Sequence, residues 1–200
     1  MYTALVPVKS LYEAKSRLAT HLTQKQRSSL VLFMLHHILC TLQASNAFNR
    51  ISVVSPDQQV LDKAQSWGTN IRLEEDTGHN PALTAAATRE LAEGATALLT
   101  ISADLPLLQV SDIHSIIEQS KYHPVVLAPS HDHTGTNALL IRPPLALPYM
   151  FGPGSLQRYL SESHVRQLST CLHTRIGLGL DIDTIDDLTI LEQHHGNLSI

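Results

Sequence analysis

The 200-residue sequence has only two cysteines, Cys40 and Cys171, too few for a disulfide scaffold. Both lie in apolar-patterned segments, which predicts two buried free thiols rather than a bridge. No apolar run approaches the roughly 20 residues that a membrane span needs. Met1-Tyr2-Thr3 leads straight into a strand-like segment, without a basic region and cleavage site before it. A soluble, cytoplasmic protein with no membrane partner is expected. Positive charge is not in surplus either: 14 Lys and Arg stand against 18 Asp and Glu, a net charge of −4. That balance speaks against nucleic acid gripped by a basic face. Any anionic substrate must then be held by local cations, backbone amides or a metal. There is no glycine-rich phosphate loop and no Gly-x-Ser-x-Gly elbow, and the 12 histidines show no zinc-site spacing. The pairs His36-His37, His131-x-His133 and His194-His195 are read as surface or tautomer-satisfied residues.

What is present is a regular alternation of short apolar runs and amphipathic stretches. Thr3–Val8, Ile51–Val54, Ile71–Leu73, Ala97–Ser102, Val125–Ala128 and Ala138–Ile141 read as strands. Helices are predicted from about Thr23 to Ala44, Gln58 to Trp67 with Gly68 as the stop, Leu83 to Glu93, Val110 to Gln119, Leu156 to Glu162, and Ile185 to Gln193. A 43% hydrophobic content supports a real core, and neither a repeat nor a Pro/Gly/Ser-rich linker splits the chain. The expectation is one α/β domain over residues 1–200, with a mainly parallel mixed sheet flanked by helices. In such sheets ligands bind beyond the carboxyl ends of the strands, so the residues just after each strand merit inspection.

Three of those places carry charge. After the first strand come Lys9, Lys15 and Arg17, spaced to clamp a polyphosphate, although a solvated Lys-rich loop would look the same. After the most apolar strand comes Asp104, a carboxylate that either a turn or a divalent metal could accommodate. If Leu180–Asp183 is extended, Asp181 and Asp183 project from one face, and such close carboxylates favour a cation. Asp186 and Asp187 follow Thr184 and suit the first turn of a capped helix. Asp104 with Asp181 or Asp183 makes a sensible Mg²⁺ site that would position a nucleoside triphosphate. A fourth feature joins Thr134-Gly-Thr-Asn137 to Phe151-Gly-Pro-Gly-Ser155. There glycine-flanked amides and a helix N-terminus could face an anion, with Ser155 a natural N-cap.

Taken in order, Val6-Pro-Val-Lys9 with Ala14-Lys-Ser-Arg-Leu18, Ala103-Asp-Leu-Pro106, Gly135-Thr-Asn137, Phe151-Gly-Pro-Gly-Ser155 and Asp181-Ile-Asp-Thr184 span nearly the whole chain. This set resembles the guanylyltransferases of coenzyme F-420 biosynthesis, which act on 2-phospho-L-lactate or phosphoenolpyruvate. The resemblance implies a Rossmann-like nucleotidyltransferase fold of the GT-A-like kind, GTP and Mg²⁺ as reaction partners, and release of pyrophosphate. It places metal ligation on Asp104, Asp181 and Asp183, and acceptor contacts on Thr136, Gly152 and Ser155. Lys9, Lys15 and Arg17 would neutralise the triphosphate and act in catalysis with Asp104. Asn80 stands where the family has a Leu-Asn pair for the nucleotide, here followed by Pro81. The acceptor is left among phosphoenolpyruvate, 2-phospho-L-lactate and 3-phospho-D-glycerate, and symmetry statistics favour a homodimer. The alternatives are a nucleotidyltransferase of the same fold handling a sugar phosphate or a molybdopterin, and a silent nucleotide-binding subunit.

Overall fold

The computed structural model describes residues 1–74 and 78–195, with side chains up to residue 191. The strands are β1 (Tyr2–Pro7), β2 (Arg50–Ser55), β3 (Asn70–Leu73), β4 (Ala97–Ile101), β5 (Val125–Pro129), β6 (Thr136–Ile141) and β7 (Thr170–Leu172). They form one sheet in the order β3-β2-β1-β4-β6-β5-β7. Every pairing is parallel except those of β6, which runs antiparallel to both β4 and β5. Because the inner strands are covered on both faces, their sequences are continuously apolar rather than alternating. All five residues of β4, Ala-Leu-Leu-Thr-Ile, are buried.

Alternate residues of each strand feed two cores. Ala4, Val6, Leu99 and Ile101 pack under α1 (Gln24–Ala44), α2 (Gln58–Ser66) and α4 (Val110–Gln119). Leu5 and Leu98 pack under α3 (His79–Ala92) and α5 (Ser155–Val165) on the other face. Along α1, Val31, Leu35, Ile38, Leu39 and Leu42 hold the helical spacing that buries one stripe. Each fully buried side chain of this kind contributes roughly 2 kcal/mol of transfer free energy. Thr23 and Gln26 close the N-terminus of α1 as a reciprocal capping box. No helix among the described residues is long and apolar enough to cross a membrane.

Several expectations need correction. Helix α3 begins at His79, four residues before the predicted start. Pro81 falls in its first turn, where a missing N–H breaks no helical bond, so the Pro marks a beginning and not a loop. The rest of the predicted loop after β3 falls on residues 75–77, outside the described residues. Strand β7 and the single turn α6 (Ile176–Gly179) were not anticipated: β7 has three residues, and α6 carries two glycines, poor helix formers. Gly177 is there for space, since a Cβ would meet Asp112 Oδ2 at 2.1 Å and the Leu107 carbonyl at 2.7 Å. Leu180–Asp183 forms no strand; it lies along the molecule with Leu180 and Ile182 buried and Asp181 and Asp183 on the opposite side. The cysteines are free but not buried: Cys40 is exposed beside His36 on the outer face of α1, and Cys171 is half-buried in the edge strand β7. The side chains of His194 and His195 in α7 (Ile185–His195) lie outside the described residues.

Candidate active site

The chain leaves β1 through α1 towards β2 and β3, then crosses by α3 to β4 on the other side of β1. Strand order therefore reverses between β1 and β4, which opens a crevice beyond their carboxyl ends. The loops after those two strands meet in it. Lys15 stands in the left-handed region (φ 53°, ψ 40°), just before the 3-10 turn Ser16–Leu18. That backbone is unfavourable by about 1 kcal/mol for a non-glycine residue. It directs the ammonium onto Asp104 Oδ2, after β4, and onto Asp183 Oδ1 at 2.9 Å. Ile182 donates its N–H to the Asp104 carbonyl at 3.2 Å, which ties the Asp181–Asp183 segment to the end of β4. Asn137, near the start of β6, donates from Nδ2 to Asp181 Oδ1 at 3.0 Å and to the Gly179 carbonyl at 2.9 Å. Four separate stretches of sequence thus converge on one rim.

Charge at this rim is unbalanced. The Lys15 side chain is only 7% exposed; burial alone would lower its pKa, but Asp104 and Asp183 more than reverse that and hold it charged. Asp183 is the mirror case. Burial alone would raise its carboxyl, yet Lys15 and the outlying Arg17 and Lys9 carry it below the usual value. Arg17 is largely exposed, with Nη1 4.0 Å from Asp183 Oδ2. Asp181 has no such compensation: burial, then Asp104, push it up despite the Asn137 hydrogen bond. Asp104 Oδ1 is buried and has no hydrogen-bond partner. A buried carboxylate oxygen without a donor is costly, and a cation satisfies it. The oxygen-only donor set suits a hard divalent ion. Among the described residues no group of three or more His, Cys, Asp or Glu forms a closed metal cage. Magnesium does not require one, since it takes one or two carboxylates and keeps water and phosphate oxygens for the rest.

Across the crevice, Thr136 opens β6 and Ser155 opens α5; both are buried, with Ser155 Oγ 3.2 Å from Thr136 Oγ1. Ser155 is the first helical residue rather than the N-cap, a correction to the sequence reading. Gly154 caps the helix in the left-handed region (φ 71°), where a side chain would be strained. Gly152 (φ 115°) completes the turn, over which Arg158 Nη2 donates to the Met150 carbonyl at 2.8 Å. Below it lies an aromatic floor. Phe151 stacks with Tyr149 at 6.0 Å and meets Tyr159 edge-on at 5.6 Å. Burial pushes the Tyr149 hydroxyl up to about 12, so it stays neutral and bonded to Thr100 Oγ1 at 2.8 Å.

Asn80 bridges the two halves. Its amide takes the Phe151 N–H at 2.8 Å and donates to the Phe151 carbonyl at 3.1 Å, clasping the start of α3 to the Gly-Pro-Gly turn. An open depression of about 650 Å³ adjoins it, lined by Asn80, Thr84, Thr88, Arg89 and Tyr149 among others. His79 lies edge-on to Phe151, and burial and then the Lys9 cation lower its pKa. Of the ten residues singled out from sequence, Lys15, Asp104, Asp181 and Asp183 thus share one rim, with Arg17 and Lys9 acting on Asp183 from outside it, while Thr136 meets Ser155 and Asn80 is tied to the turn that holds Gly152. Sequence reasoning missed the support that Asn137 gives Asp181, whereas Asp187 takes the capping place expected of it, its Oδ2 accepting from the N–H groups of Asp183 (2.9 Å) and Thr184 (2.7 Å). The Thr184–Asp187 spacing does carry the capping signal expected for that helix.

Residues 2–198 match a family model described as guanylyl transferase CofC like. A phosphoenolpyruvate guanylyltransferase of Rubrobacter xylanophilus is 40% identical over 96% of this chain and 94% of its own length. A 2-phospho-L-lactate guanylyltransferase of Methanobrevibacter smithii is 28% identical over 96% of this chain and 84% of its own. Among solved structures, a candidate nucleotide-diphospho-sugar transferase from Desulfovibrio desulfuricans G20 superposes with a TM-score of 0.83. It is 15% identical and covers 99% of this chain and 89% of that one.

Proposed function

The chain belongs to the family of CofC-like guanylyl transferases, and on that premise we propose that it transfers the guanylyl group of GTP to phosphoenolpyruvate, releasing pyrophosphate, as a step of coenzyme F-420 biosynthesis. The observation that carries this reading is the crevice at the strand-order reversal. There Lys15 lies between Asp104 and Asp183 while one buried Asp104 oxygen has no donor. Phosphoenolpyruvate is preferred to 2-phospho-L-lactate as acceptor because the Rubrobacter relative is 40% identical and the Methanobrevibacter one 28%.

In this reading Asp104 and Asp181 or Asp183 hold Mg²⁺, which when bound neutralises charge on the transferred phosphoryl group. Lys15, Arg17 and Lys9 take the triphosphate oxygens and disperse the charge that grows on the departing pyrophosphate. Thr136 and Ser155 offer hydroxyls, and the Gly152 turn offers backbone, to the small acid. An acceptor phosphate oxygen attacks the α-phosphorus, the new P–O bond forms, and the bond to the β-phosphate oxygen breaks. The acceptor phosphate is already ionised at neutral pH, so no side chain removes a proton. Catalysis is positioning and charge neutralisation.

The test is an acceptor panel with GTP. Pyrophosphate release is followed together with mass spectrometry of the guanylylated product, coupled to the enzyme that consumes it. Turnover with phosphoenolpyruvate above the other two acids is expected. Turnover only with a sugar phosphate or a molybdopterin, or none with any acceptor, would overturn the assignment.

A further inference from the structure

The loop that delivers Lys15 is anchored at Leu11 from two helices, with the neighbouring Ser10 Oγ also reaching Asp57 Oδ2 at 3.5 Å. Leu11 donates its N–H to Asp57 Oδ2 at 2.8 Å, and its carbonyl accepts from Gln24 Nε2 at 2.7 Å. Asp57 stands just after β2 as the N-cap of α2, where its other oxygen, Oδ1, takes the Gln59 N–H at 3.0 Å. Its own N–H goes to the hydroxyl of buried Ser55 at 3.1 Å. Gln24 is the first residue of α1. Both polar backbone atoms of Leu11 are thus held by helix ends, while its side chain is buried in the core.

From that anchor the loop runs to Lys15 as one compact turn. The Ser10 carbonyl accepts from the N–H groups of Glu13 at 3.1 Å and Ala14 at 3.0 Å, and Ala14 is buried. Lys15 follows in its left-handed conformation and reaches Asp104 and Asp183. A short turn of this kind transmits a shift of its origin to its end, and a misplacement of about 1 Å is enough to spoil a reacting geometry.

We infer that Asp57 is a positioning residue for the transfer reaction: through the Leu11 N–H it fixes the β1–α1 loop so that Lys15 meets the nucleotide triphosphate. It touches no substrate. The inference rests on the reading of Lys15 as a triphosphate ligand. The two carboxylate oxygens have separable duties, Oδ1 capping α2 and Oδ2 holding Leu11. Asp57→Asn preserves a strong N-cap but replaces one acceptor by a donor, so only one of the two N–H groups is satisfied. Asp57→Ser also caps, and its shorter side chain does not span to Leu11 as well.

The experiment is calorimetric titration of the full chain with GTP and with GMP in MgCl₂. It covers the wild type, Lys15→Ala, Asp57→Asn, Asp57→Ser, Gln24→Ala and the double variants Asp57→Asn/Lys15→Ala and Gln24→Ala/Lys15→Ala, each with a thermal melt. Asp57→Asn and Asp57→Ser should weaken GTP by about tenfold while leaving GMP, which lacks the outer phosphates, nearly unchanged. In the Lys15→Ala background, Asp57→Asn should add less than about twofold, because its effect runs through that lysine. Gln24→Ala, which removes no cap, should show the same coupling and covers the case in which the Asp57 variants do not fold. If Asp57→Asn binds GTP like the wild type while Lys15→Ala weakens it, Asp57 is only a helix cap and the inference falls. An equal loss with and without Lys15 overturns it too. If Lys15→Ala itself binds GTP normally, the triphosphate reading has failed, and the inference goes with it.

Discussion

The buried charges around Glu90 and those around Lys15 are built differently. Under α3, Glu90 is fully buried, yet Oε1 accepts from Ser52 at 2.7 Å and Arg72 at 3.1 Å, and Oε2 accepts from Arg50 at 2.8 Å. Glu93 joins both arginines from the surface, so two carboxylates face two guanidinium groups. Burial alone would raise the Glu90 carboxyl, but Ser52, Arg50 and Arg72 outweigh it and hold it below its ordinary value. At the crevice, by contrast, one buried ammonium serves Asp104 and Asp183, Asp181 is pushed up, and Asp104 Oδ1 has no partner. A structural network satisfies itself. A site leaves a deficit that something else must fill.

Substitutions in the two clusters should accordingly fail in opposite ways. Asp104→Asn should lower kcat for pyrophosphate release by on the order of 10²–10³-fold, with a thermal midpoint at or above that of the wild type. A folded variant with near-normal turnover would make Asp104 a turn residue. Glu90→Gln should do the reverse. It leaves two arginines short of a partner and should cost about 2–3 kcal/mol in urea unfolding while kcat/KM per folded molecule stays unchanged. Its pH dependence has a definite sign: with a lowered folded pKa, Glu90 contributes stability above the unfolded value near 4.3 and loses it as pH falls through the folded value. The Gln variant should therefore have a flatter acid limb than the wild type.

A smaller effect separates ligands from bystanders. Ser155→Ala should raise KM for phosphoenolpyruvate by about three- to tenfold and leave KM for GTP alone, since it removes one hydroxyl beside Thr136. A change in GTP alone would move Ser155 to the other substrate. Smallest of all, Asp181→Asn should raise the melting temperature of chelator-treated protein by a degree or two. Its carboxyl has a raised folded pKa, so its ionised form destabilises the fold increasingly as pH rises above about 3.9, up to the folded value. The gain should be present at pH 7 and vanish near pH 3.

The difference between the clusters also marks what sequence discloses. Asp104 was legible because a charge stands three residues beyond the buried strand Ala97–Ile101, and Asp181 and Asp183 because a two-residue spacing shares a side. Lys15 was legible as a cation after the first strand, although its approach to two acids 89 and 168 residues away was not. Contacts of that separation leave no local periodicity. For the same reason the Asn80–Phe151 clasp, the Asp57–Leu11 bond and the Arg50–Glu90–Arg72 network went unseen. Strand pattern gave the parallel sheet, whereas β7 and α6 exist only by packing on β5 and against Asp112. The exposed Cys40 shows the limit of apolar patterning: it follows two buried residues on α1 but lies about 100° further round the helix, beside His36.

The most direct measurement is pyrophosphate release from GTP and phosphoenolpyruvate at saturating substrate, with MgCl₂ and again in excess chelator, on the wild type and on Glu90→Gln. If the charge deficit at Lys15, Asp104 and Asp183 is a cation-assisted triphosphate site, both proteins should turn over with MgCl₂ and fall to background in chelator. Undiminished turnover by the wild type in excess chelator would contradict it.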